Sequence, residues 1–215
     1  MVNKNPIDDL IVFVDTETTG DGFDPMHGTL EFSLILTKLN RKTNILEYIG
    51  DFNRKIKPHP SWKYQNVYHY QSININKAFK YAADPTAEHE YTATSALKIW
   101  LGKYVNWRNP KQKIMIAGYK VNHDIRALQN MFERQGDSKF WAYFWSPRIE
   151  VSAEAAKVLF YSGDLAKLDN HKLGTMCSYF GIAVVKAKQH SAQYDAMLAW
   201  KLYEKAHSIN IKNKR

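Results

Sequence analysis

The chain has 215 residues, enough to bury the core of one domain, or of two small ones, without help from disulfides. Hydrophobic residues make up 45% and charged residues 24%, which excludes wholesale disorder, and the lone cysteine, Cys177, excludes an internal disulfide or a cysteine-based zinc site. Thirty Lys and Arg against 21 Asp and Glu leave a net charge of +9, a field that draws polyanions such as nucleic acid or an anionic lipid surface.

No apolar run approaches the about 20 residues needed to span a bilayer, and Met1 to Asp9 is polar, so neither a membrane anchor nor a signal peptide is expected. A single thiol fits a reducing, cytoplasmic setting. The first strong local signal is Leu10-Ile-Val-Phe-Val14, a short β-rich apolar run that reads as a buried strand. It enters Asp15-Thr-Glu-Thr-Thr-Gly20 and Asp21-Gly-Phe-Asp-Pro25, turn-forming residues that should reverse the chain. Leu30 to Leu39 and Ile45 to Ile56 read as two more strands, and the short polar link Asn40-Arg-Lys-Thr-Asn44 suits a hairpin. The three strands together predict an antiparallel meander.

From Lys57 to Asp84 the pattern specifies little local structure. Trp62, Tyr64, Tyr68, Tyr70 and Phe79 alternate with Lys63, Lys77 and Lys80. Such interleaving can stack and neutralise a single nucleic-acid strand, but aromatics in irregular segments more often plug the core beneath a loop. Thr94 to Tyr104 predicts an amphipathic helix, with Ala93, Leu97, Trp100 and Leu101 at i, i+4, i+7 and i+8. Ile114 to Ala117 predicts a short buried strand, followed by a helix opening at Asn122 or His123 and carrying Leu128 and Phe132. After the aromatic-dense Phe140 to Trp145, helices are expected over Ser152 to Tyr161, Leu173 to Phe180 and Ala192 to Ala206, with breaks at Gly163 and Gly181. Antiparallel strands first and strand-helix units later predict one mixed α/β (α+β) domain over 1–207, ending in a basic tail at 208–215.

Three places carry candidate chemistry. Side chains at i and i+2 of a strand share a face, so Asp15 and Glu17 project together from the end of the most buried strand. Two carboxylates so close repel unless a cation lies between them, and hard divalent ions take oxygen ligands; the alternative is a solvated acid pair entering a loop. Asp124 opens the mid-chain helix, where helix capping accounts for it equally well. In His190-Ser-Ala-Gln-Tyr-Asp195, a pair five apart cannot share one helix face, which puts His190 in the loop and Asp195 in the first turns. An acid facing a sheet along a small-residue stripe needs a metal or a base as partner, while a surface loop is the commoner fate of a lone histidine.

Taken together, these residues resemble the DEDDh family of 3′-to-5′ exonucleases, relatives of polymerase proofreading subunits with a ribonuclease H-like fold. The resemblance rests on Val14-Asp-Thr-Glu-Thr-Thr-Gly20, on Gly118-Tyr-Lys-Val-Asn-His-Asp124 with Ile125-Arg-Ala-Leu128, and on His190-Ser-Ala-Gln-Tyr-Asp195, in the family's order and spacing along most of the chain. Asp84-Pro85-Thr86 and His171-Lys-Leu-Gly-Thr175 are lesser landmarks. Lys120 and His123 depart from the family's usual Asn and Phe around the second motif. Ser191 stands where the tyrosine branch of the superfamily would carry Tyr, so the histidine branch is the better match.

The resemblance implies a two-metal phosphodiesterase using two Mg²⁺ or Mn²⁺ ions, with Asp15 bridging both, Glu17 and Asp195 completing one site, and Asp124 holding the other largely through water. It implies His190 as the general base, a role for which the pH range of imidazole titration is suited. It gives Thr18 and Thr19 as contacts to the terminal nucleotide, single-stranded or frayed DNA with a free 3′ end as the favoured substrate, and nucleoside 5′-monophosphates as products. A polymerase or replication partner is a further implication. An RNA-trimming exonuclease of the same family is the alternative, and a non-catalytic nucleic-acid-binding module is a more distant one.

Overall fold

Leu10–Thr18 forms β1, and its neighbours on both sides explain its composition. The computed structural model describes residues 9–20, 23–62 and 70–212. β1 pairs antiparallel with β2 (Thr29–Asn40), which pairs antiparallel with β3 (Ile45–Lys55), so the expected meander is present. On its other edge β1 pairs in parallel with β4 (Ile114–Gly118), which pairs in parallel with β5 (Phe144–Glu150). The result is a five-stranded mixed sheet in the order β3-β2-β1-β4-β5.

Because strand residues alternate faces, β1 contributes to two cores. Val12 and Val14 join Leu34, Leu36, Leu97, Leu128 and Phe132 on the face covered by α2 (Glu90–Gly102) and α3 (Asn122–Glu133). Ile11 and Phe13 join Ile35, Ala155, Leu159, Leu198 and Leu202 on the face covered by α5 (Val151–Ser162) and the long C-terminal helix α7 (Ala192–Lys212). Burying both faces requires the near-continuous apolar run that the sequence shows.

Three expectations need correction. The segment from Lys57 to Asp84, read as poorly specified, contains the helix α1 (Tyr70–Ala83), in which Ala78 and Tyr81 are buried while Phe79 is 73% exposed. The aromatic-dense stretch after Phe140 is a single helical turn, α4 (Phe140–Tyr143), leading into β5, a strand that hydrophobic patterning did not mark. Chain reversal after β1 begins later than expected, because Asp15 to Thr18 remain in the strand. Trp62 does sit in the core, at 8% exposure. The turn residues Asp21 and Gly22, and Lys63, Tyr64 and Tyr68, lie outside the described residues, as do 213–215 of the basic tail. α7 spans Ala192–Lys212, beyond the expected end at Ala206.

α6 (Leu173–Tyr179) ends before Gly181, which adopts a left-handed φ of 71° that favours glycine, and Gly163 does the same for α5 at φ 73°. Cys177 is buried and free. No described helix is long and apolar enough to cross a membrane.

Candidate active site

The period of two that sends Ile11 and Phe13 toward α7 also sends Asp15 and Glu17 there, at the end of β1 beyond the apolar run. α7 approaches that end closely because Ala192, Ala196 and Ala199 are essentially fully buried. Its first turn carries Asp195, whose Oδ2 accepts a hydrogen bond of 3.0 Å from the backbone N–H of His190. His190 precedes the helix with φ 64°, a strained conformation outside glycine, and its exposed ring turns back to the acids. Glu17, His190 and Asp195 each bring one ligand atom within 4.8 Å of the others.

Asp124 arrives from the opposite layer. Thr16, lying between the two acids in sequence, points to the α3 face, and both its N–H and its Oγ1 donate to Asp124 Oδ1 at 2.8 Å. Asp124 is thus tied to β1, and the N-cap residue of α3, Val121, supplies no side-chain cap. The turn that presents it is built by residues the sequence did not single out. Glu150, at the end of β5, accepts the N–H groups of Lys120 at 2.7 Å and Val121 at 3.0 Å, and Lys120 adopts φ 58°. A Cβ on Gly118 would lie 2.8 Å from the Val14 carbonyl oxygen, so only glycine lets this turn meet the end of β1. His123 reaches across to the Gly20 carbonyl, Nε2 to O 3.4 Å, linking the second motif to the first.

Thr18 and Thr19 are 7% and 1% exposed. Thr18 Oγ1 donates to the Gly20 carbonyl at 2.5 Å, and Thr19 Oγ1 accepts from the Gly28 N–H at 2.9 Å. Both hydroxyls are therefore engaged in shaping the loop that follows β1. The main residues missed by sequence reasoning are Glu31 and Lys77. Glu31 sits directly across from Glu17 in the β1–β2 register, is 8% exposed, and accepts from Tyr81 Oη at 2.6 Å and Ser191 Oγ at 3.3 Å. Lys77 Nζ lies 3.3 Å from Glu17 Oε1. An acid interrupting the buried run Leu30 to Leu36 was the available signal for Glu31; nothing local marks Lys77.

The electrostatics are those of crowded, desolvated carboxyls. Burial pushes Asp15 well above the usual carboxylate range, and the nearby Asp124, Glu17 and Asp195 add to it. Burial likewise raises Glu17 from 4.5 to about 7 against the opposing pull of Lys77, and raises Asp124 from 3.8 to about 8 against the Thr16 hydrogen bonds. Asp195 is raised by burial too. Four such groups and an imidazole, oxygen-rich and short of positive charge, fit a hard divalent cation of the Mg²⁺ or Mn²⁺ type.

Folded Glu17 and Asp124 keep protons that the unfolded chain releases near 4.5 and 3.8, so stability of chelator-treated protein should fall as pH rises from those values toward about 7 and about 8. Divalent ions bind the deprotonated groups, so Mn²⁺ should raise the melting temperature more at about pH 8 than at about pH 5; an equal rise at both would contradict the cluster. Thr16→Val removes one of the two donors to Asp124 and should cost about 1 to 3 kcal/mol in a denaturant titration.

No family model and no curated protein matches the sequence. Solved structures do. The chain aligns with cell-death related nuclease 4 at TM-score 0.65 and 14% identity, over 94% of this chain and 64% of that one. With the zinc-bound complex of E. coli exonuclease I and single-stranded DNA, the TM-score is 0.68 at 16% identity, over 95% and 42%. The fold is ribonuclease H-like. The nuclease domain of 3′hExo, a DEDDh family member bound to rAMP, shares this ribonuclease H-like fold at TM-score 0.58 and 15% identity, over 95% and 92%. The chain spans less than two thirds of the length of nuclease 4 and of exonuclease I.

Proposed function

We propose that the chain is a divalent-metal-dependent 3′-to-5′ exonuclease of the DEDDh family, hydrolysing single-stranded or frayed DNA ends to nucleoside 5′-monophosphates. The observation that carries this reading is the convergence of Glu17, His190 and Asp195 within 4.8 Å at the end of β1, beside the half-buried Asp15 and the buried Asp124. A ribonuclease H-like fold shared with nucleases, one of them bound to single-stranded DNA, supports it.

Asp15, Glu17 and Asp195 would hold one metal ion and Asp124, with Asp15, a second. Bound there, the pair would supply activation of water and stabilisation of charge on the leaving oxygen. Asp195 keeps the His190 backbone in place through its hydrogen bond, so that an imidazole nitrogen faces the acids and accepts the proton of the attacking water. The Thr16–Asp124 bonds hold the second motif against the first, which sets the spacing of the carboxylates.

Beside the cluster, between β2, β3, α1 and the start of α7, runs a groove of about 740 Å³ whose lining includes Lys80, Lys188, Tyr48, Tyr194 and Trp200. Lysines there would neutralise phosphates, and the exposed Tyr48 ring offers a face on which a base can stack, which favours an unpaired strand over a duplex. RNA remains the competing substrate, supported by the rAMP in the 3′hExo structure. The test compares 5′-labelled linear DNA, the same sequence in RNA, 3′-blocked DNA and circular single-stranded DNA, each with Mg²⁺ or Mn²⁺. Stepwise shortening of linear DNA alone supports the reading; RNA-only shortening replaces its substrate, and efficient cutting of the circle defeats it.

A further inference from the structure

We infer that Lys77 is a positioning residue of this site with two opposed effects: its ammonium competes with divalent cations for Glu17 while fixing the loop that carries His190. Lys77 lies on α1, the helix that local sequence did not specify. Its Nζ is 3.3 Å from Glu17 Oε1 and 3.8 Å from Glu31 Oε2, and it donates a hydrogen bond to the His190 carbonyl oxygen. The three charged side chains are 11 to 15% exposed, so this ammonium is held among carboxylates out of bulk water, where pairing is strong.

The surroundings make the contact a built one. Tyr81, one helical turn after Lys77, donates to the same Glu31 oxygen at 2.6 Å, and Ser191, next to His190, donates to the other at 3.3 Å. Glu31 therefore joins α1 to the His190 loop, and Lys77 closes the ring through Glu17. One cation thus touches an acid proposed as a metal ligand and the backbone of the residue proposed as proton acceptor. A positive charge at Glu17 opposes entry of another, which weakens metal binding. The bond to the His190 carbonyl restrains a loop already held at positive φ, which keeps the imidazole in line.

The inference rests on the nuclease reading for its catalytic half but has a test of its own. Mn²⁺ affinity is measured on the full chain without nucleic acid, by calorimetry or by the electron paramagnetic resonance of free Mn²⁺. Turnover is measured separately on a labelled single strand at saturating Mn²⁺. Lys77→Met keeps the length of the side chain and removes its charge; it should bind Mn²⁺ about tenfold more tightly and turn over about tenfold more slowly. A role in folding alone would weaken both. Lys77→Gln, which keeps a donor, should also tighten Mn²⁺ with a smaller loss of turnover, and serves if the Met variant does not fold. Lys77→Arg should restore an affinity near wild type. Unchanged or weaker Mn²⁺ binding in both neutral variants overturns the inference. Absence of any hydrolysis by the wild-type protein would instead overturn the nuclease reading and leave the Mn²⁺ comparison standing by itself.

Discussion

Asp15→Asn is expected to lower turnover by about 10³-fold or more, with the fold intact. The same holds for Glu17→Gln and Asp195→Asn. Each substitution removes a charge proposed to hold metal while keeping side-chain shape, so little core volume changes. Asp15 lies where burial and the charges of Asp124, Glu17 and Asp195 all oppose its ionisation. Neutralising it relieves like-charge repulsion, and the chelator-treated variant should melt at the wild-type temperature or above it. Steady-state hydrolysis of a labelled strand reads the first effect, and thermal denaturation followed by circular dichroism reads the second. Near-wild-type Mg²⁺-dependent activity in all three variants would contradict the assignment of these acids.

His190→Ala should lower turnover by about 10²- to 10⁴-fold, the usual worth of a positioned general base. Its ring lies close to Glu17 and Asp195, but three carboxylates remain to hold the ion, so Mn²⁺ affinity should change far less than turnover. The variant should also lose the pH dependence that a general base gives the rate. A variant that keeps both the rate and the pH profile removes His190 from the chemistry. Circular dichroism separates this loss from unfolding, since an exposed loop residue contributes little to the core.

What the sequence revealed, and what it hid, follows from where each interaction is encoded. The antiparallel meander of β1, β2 and β3 was legible because Leu10 to Val14, Leu30 to Leu39 and the link at Asn40 to Asn44 carry local signals of burial and reversal. The joint face of Asp15 and Glu17 followed from the strand period alone, and the loop position of His190 from its five-residue offset to Asp195. α1 was hidden because Tyr70-Gln-Ser-Ile-Asn-Ile-Asn mixes polar and β-branched residues of modest helix propensity, and tertiary contacts through Ala78 and Tyr81 stabilise the helix instead. β5 was hidden by Pro147, which an edge strand tolerates and a central one does not. Asp124 looked like a cap because its partner, Thr16, is 108 positions away. Lys77, Glu31 and Glu150 were missed for the same reason: each acts through residues distant in sequence.

The most direct test of a metal-dependent 3′-to-5′ exonuclease uses one 5′-labelled linear single strand, incubated with chelator-treated protein and then with added Mn²⁺. Such an enzyme should leave the strand unchanged in chelator and, with Mn²⁺, give a ladder of products shortened one nucleotide at a time from the 3′ end, with nucleoside 5′-monophosphates released. An intact strand at every Mn²⁺ concentration, or shortening that proceeds equally in chelator, would contradict it.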